Sequence, residues 1–109
     1  MFYKLNANME AVRIDDAHEG FEWKRNHPYK AIVGKTHING NCISTVFLVI
    51  DHGIEPDELE LFETMIFGDD EKYSEYCERY ATWNEAVVGH QRIVEAVLAG
   101  ENLNSMEGE

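Results

Sequence analysis

Residues 29–50, YKAIVGKTHINGNCISTVFLVI, decide the fold. At the centre stands Asn39-Gly40, the preferred pair for a two-residue type I′ turn, because both positions need positive φ and these residues tolerate it cheaply. The stretch is therefore read as a β-hairpin. Counting outward from the turn pairs Ile38 with Asn41, Thr36 with Ile43, Gly34 with Thr45, Val33 with Val46 and Ile32 with Phe47. Strand parity then puts Ile32, Ile43, Phe47 and Val49 on one face, and Tyr29, Ala31, Val33, Val46, Leu48 and Ile50 on the other. Both faces are apolar, which predicts a central position, with one face under a helix and the other covered by a loop, a helix or a second subunit.

The flanking segments extend this hairpin in both directions. Residues 2–5 and 11–14 alternate as short strands. Asp16 with Glu19 three residues later resembles an acidic capping box, opening a short helix that Pro28 closes and that packs Ala17, Phe21 and Trp23. Downstream, residues 59–67 return to strand character, with Leu59, Leu61, Glu63, Met65 and Phe67 sharing one face. Glu60, Phe62, Thr64 and Ile66 share the other. The loop between, DHGIEPDELE, is punctuated by Gly53 and Pro56. A charged connection, GDDEKYSEYCE, leads to an edge strand over residues 77–81. Thr82 and Glu85 form a second capping box, after which Trp83, Val87, His90, Val94 and Val97 recur at helical spacing until Gly100 stops the helix. The fold class is α+β: an antiparallel meander of about four strands, packed by a C-terminal helix and a short N-terminal helix. A single domain over residues 1–100 is expected, with residues 101–109 as a flexible acidic tail.

Composition narrows the function classes. A chain of 109 residues holds one core. Its longest apolar run, residues 46–50, falls far short of the ~20 residues of a membrane span. The start MFYKLN lacks a secretory pattern, so a cytoplasmic location and reduced thiols at Cys42 and Cys77 are expected. Nine Lys and Arg against 21 Asp and Glu give a formal charge of -12. Phosphate repulsion and the lack of a basic stripe argue against direct nucleic-acid binding; an acidic surface instead suits a basic site on another protein. A homodimer that buries one apolar sheet face is also expected.

The blocks STVFLVIDHG at residues 44–53, LFETMIFG at 61–68 and ERYATWNEAVVGH at 78–90 resemble a family of small bacteriophage and prophage proteins. Its pattern runs STVFLG-x-D/N-H, LFETM-V/I-FG and RY-S/T-TW-x-EA-x-x-GH. The likeness covers residues 35–95. Val49 stands where the pattern has glycine, the loop from Gly53 to Glu58 lacks the usual aromatic and glycine run, and Trp23 is the one remnant of a tryptophan-bearing N-terminal helix. The resemblance implies a phage accessory protein working in the host cytoplasm, without naming a reaction.

Candidate site residues are Asp51, His52, Glu63, Arg79, Tyr80, Trp83 and His90. Three readings stay open. In the first the protein is non-enzymatic and binds a host defence protein, as anti-CRISPR and other counter-defence proteins do. In the second it sequesters a nucleotide signal, with Tyr80 and Trp83 stacking on a base and Arg79 on phosphate. In the third, His52, Glu63 and His90 converge as the metal ligands of a hydrolase, although no HExxH or CxxC spacing supports this. No metal or other cofactor is called for otherwise. A charged Glu63 among apolar neighbours needs a neutralising group, and Arg79, a ligand, or His52 with His90 are the candidates.

Overall fold

The computed structural model describes residues 1–54, 58–101 and 103. It is an α+β fold, with the element order β1 (Phe2–Leu5), β2 (Ala11–Ile14), α1 (Ala17–Asn26), β3 (Ile32–Ile38), β4 (Asn41–Phe47), β5 (Phe62–Gly68), a short 3-10 turn (Glu71–Tyr73), β6 (Cys77–Tyr80) and α2 (Trp83–Leu98). Strands β3-β4-β5-β6 form an antiparallel meander, and β1-β2 a separate two-stranded sheet. The small sheet is tied on by Tyr3 N–H donating to Val49 O at 2.8 Å and by a bridge between Phe2 and Ile50.

Asn39 and Gly40 take φ of 50° and 82°, as a type I′ turn requires. The register agrees with the expected pairing from Ile38↔Asn41 to Gly34↔Thr45. Beyond Gly34 it departs: Ile32, not Val33, pairs with Val46, because a β-bulge inserts Val33 as an extra residue. The bulge sends Val33 to the core and leaves Ile32 39% exposed on the opposite face from that expected. Tyr29, expected on an apolar face, is exposed.

Helix α2 lies across one face of the large sheet, against β3, β4, β5 and β6. Thr82 caps it by accepting from Glu85 N–H at 3.1 Å, as expected. Its buried stripe is Ala86, Gly89, His90, Ile93, Val94, Ala96 and Val97, whereas Val87, expected inside, is exposed. Asp16 caps α1 by accepting from His18 N–H, but Glu19 turns away to an ion pair with Lys4 at 2.7 Å. Phe21 is exposed rather than packed; the buried α1 residue is Gly20.

The core has two apolar clusters. One joins Ile38, Ile43 and Ile66 of the sheet to Ile93, Val94 and Val97 of α2, with Tyr73, Tyr76 and Leu103. The other gathers Leu5, Phe47, Val49, Leu61, Phe62, Tyr80 and Ala86. Leu103 was expected in a mobile tail, yet it is buried, and Tyr73 Oη donates to Glu101 O at 3.1 Å. The rest of that expectation, residues 102 and 104–109, and the Pro56 part of the 51–60 loop lie outside the described residues. Among the described residues no helix is long and apolar enough to cross a membrane.

Candidate functional site

Strand parity sets up the most organised polar feature of the molecule. Thr36, Thr45 and Thr64 lie on the α2 side of three neighbouring strands, since Thr36 is two residues from Gly34, Gly34 pairs with Thr45, and Thr45 pairs with Thr64. His90 comes down on them from α2. Its Nδ1 lies 2.7 Å from Thr45 Oγ1 and its Nε2 2.8 Å from Thr36 Oγ1. Thr45 Oγ1 is 2.5 Å from Thr64 Oγ1, which is 3.0 Å from Tyr80 Oη. The result is a continuous chain of hydrogen bonds from Tyr80 on β6 to Thr36 on β3.

Two glycines make the room. A β-carbon on Gly34 would stand 2.9 Å from the His90 ring, and one on Gly89 would stand 2.3 Å from the Tyr80 ring. A neutral imidazole has one donor and one acceptor nitrogen, so His90 fits between two hydroxyls without an ionised partner. Burial pushes its pKa down and keeps it neutral. Burial also raises the Tyr80 phenol to about 12, against a smaller opposing effect from the Thr64 hydrogen bond. Among the described residues no buried side-chain nitrogen or oxygen lacks a hydrogen-bond partner. Such a chain fixes the helix to the sheet at one register.

Glu63 lies on the other face. It shares that side of β5 with Met65 and Phe67, as parity predicted, but α2 covers the opposite side, where Phe62, Thr64 and Ile66 are buried. Its neutralising group is Arg79, directly across the β5-β6 pair, whose Nε donates to Glu63 Oε2 at 3.0 Å. Arg79 also reaches Glu60 at 3.8 Å. Cys77 donates its thiol to Glu63 Oε2 at 3.2 Å. Burial first, then the hydrogen bond to Glu63, raises the Cys77 thiol to about 11, so it is a protonated donor and a poor nucleophile.

Of the remaining candidates, Asp51 and Trp83 hold the fold together. Asp51 Oδ1 accepts from Gly53 N–H at 2.8 Å and Glu60 N–H at 2.9 Å, bracing both ends of the β4-β5 connection. His52 is exposed beside it. Trp83 is half-buried edge-on to Phe62. The expected convergence of His52, Glu63 and His90 does not occur: one is in a loop, and the other two face opposite sides of the sheet. No group of three or more metal-ligating side chains forms among the described residues. The stacking arrangement is not assembled either, because Tyr80 points inward at 7% exposure while its neighbour Arg79 points outward.

The three threonines escaped the sequence reading. Thr45 shares strand parity with Ile43 and Phe47, so a hydroxyl was due on the helix-facing side, and that was the available signal. Comparison of the chain with known protein families, with curated proteins and with solved structures finds no match.

Proposed function

We propose that this is a small phage accessory protein that acts by binding, with its acidic surface occupying a basic, nucleic-acid-handling site on a host defence protein. The observation that carries this reading is the segregation of charge. Residues 1–35 have six basic and five acidic side chains, whereas the remaining 74 have three basic and 16 acidic. Of the three, Arg79 and Arg92 are engaged with Glu63 and Glu78, so the carboxylates of this larger part dominate its field. Asp69, Glu71 and Glu75 are all exposed around the β5-β6 connection and belong to this acidic part.

The backbone at Val49 supports the phage resemblance. Where the resembled pattern has glycine, Val49 adopts φ of 72°, a conformation that glycine takes at no cost and a β-branched residue takes under strain. The binding reading is also favoured because the buried polar groups are occupied with one another.

The test is affinity capture from host lysate with the native protein and with a variant in which Glu71 and Glu75 are changed to Lys. A host protein held near stoichiometrically by the native chain, displaced by a polyanion and lost with the variant, is the expected result. No enrichment, or equal capture by both chains, would overturn the reading.

A further inference from the structure

The face of the large sheet opposite α2 is made of two halves that complement each other. At one end, Phe21, Pro28, Ile32 and Val46 line an open groove of about 420 Å³, rimmed by Lys24 and Arg25. Neither cation has a carboxylate partner among the described residues, although carboxylates outnumber cations in the chain by 21 to nine. At the other end Phe67 stands 54% exposed, followed two residues later by exposed Asp69, which has no cationic partner among the described residues. Val46 pairs with Glu63, four residues before Phe67 on the same face. Along the strands the two ends are thus offset by roughly 13 Å at about 3.3 Å per residue, and Ile32 on β3 lies two strands, about 10 Å, to the side of Phe67 on β5.

We infer that a second copy of this chain covers the face, related by a two-fold axis that lies between the sheets, oblique to the strands and perpendicular to the line from Phe67 to Ile32. Such an axis sets the Phe67 end of each copy over the groove end of the other, so one pair of contacts is made twice. Phe67 enters the partner groove between Phe21 and Ile32, and Asp69 meets Arg25. The half-buried Met65 and Val46 lie between the two contacts. Charge complementarity selects a copy over an unrelated protein, because apolar groove with unpaired cations and apolar knob with an unpaired carboxylate occur on the same face. The inference is independent of the host-binding reading, and its test needs no host component.

The experiment is sedimentation equilibrium of the full chain over the micromolar range. A mass rising from 12.6 kDa toward twice that value is expected. Phe67→Glu, Arg25→Glu and Asp69→Lys should each weaken association about tenfold or more, as loss of a central anchor or of a paired charge does. Combining Arg25→Glu with Asp69→Lys should restore it. All three side chains are exposed, and thermal melting confirms that each variant is folded. A monomer at every concentration, a dimer indifferent to these changes, or a double variant no tighter than the singles would overturn the interface.

Discussion

Gly20 and Val49 are in contact: a β-carbon added to Gly20 would stand 2.6 Å from Val49 Cγ1. The contact joins two local oddities, a glycine inside a helix and a valine at φ of 72°. Ordinarily Gly→Ala within a helix gains about 1 kcal/mol. Here the methyl group would press on a side chain that is itself fully buried and stiff, and overpacking of this kind costs about 1–3 kcal/mol. Gly20→Ala should therefore destabilise, with a lower urea midpoint and an unchanged m-value. A higher midpoint would show that the helix preference prevails.

The buried imidazole gives stability a pH dependence of definite sign. Desolvation lowers the His90 pKa in the folded state from its ordinary 6.5. On acidification the unfolded chain therefore takes up this proton first. The contribution is fully present above about 6.5 and is lost progressively as pH falls through the folded-state value. The groups bonded to the ring are the Thr36 and Thr45 hydroxyls, so no carboxylate bonds to the imidazole to offset this loss. Denaturation at a series of pH values should show the loss in the native protein. The part due to His90 should vanish in His90→Gln.

Removing hydroxyls from the chain of hydrogen bonds should cost more in the middle than at the end. Thr45→Val leaves His90 Nδ1 and one side of Thr64 without a partner, and unsatisfied buried groups cost about 1–3 kcal/mol each. Tyr80→Phe removes a terminal hydroxyl and leaves Thr64 its bond to Thr45, at about 1 kcal/mol. Equal losses in chemical denaturation would mean that the chain does not act as a connected unit.

These positions also show which parts of the structure could be read in advance. The Asn39-Gly40 turn, both helix caps and the parity of Glu63 depend on near neighbours in sequence, and each was legible. The bulge at Val33 comes with packing against the cluster around Phe47 and Val49, and no local residue signals it. Tyr73 and Tyr76 sit in a stretch so rich in charge that their burial, decided by α2 and Leu103, is hidden. Likewise His90 was readable as a hydrogen-bonded core residue, while its partners required the strand alignment. Glu63 was placed with Arg79 as one of its candidate partners, but which face α2 covers was not contained in the alternation of either strand.

The Glu63–Cys77 contact predicts a slow thiol. Alkylation of Cys77 followed across pH should have its midpoint near 11. Burial is the largest cause, so Glu63→Gln should lower the midpoint without returning it to the ordinary value, through loss of both the hydrogen bond and the negative charge. An unchanged midpoint would assign the shift to burial alone. Stability should change little, because Arg79 is partly exposed and such pairs contribute about 0–1 kcal/mol.

Leu103 offers the sharpest contrast between composition and structure. The segment after Gly100 is polar, yet the φ of 73° at Gly100 and the bond from Glu101 N–H to Ala96 O turn the chain back over the end of α2. Tyr73 Oη then holds Glu101 O, and Leu103 is 1% exposed among Tyr73, Tyr76 and the last turns of the helix. Leu103→Ala should cost about 2–5 kcal/mol, the range for truncating a buried leucine. Leu98→Ala, five residues earlier and 62% exposed, should fall within about 0.5 kcal/mol. Urea denaturation of the two variants side by side checks the placement. Equal and small effects would mean that Leu103 does not pack against the helix in solution, and that the core closes without it.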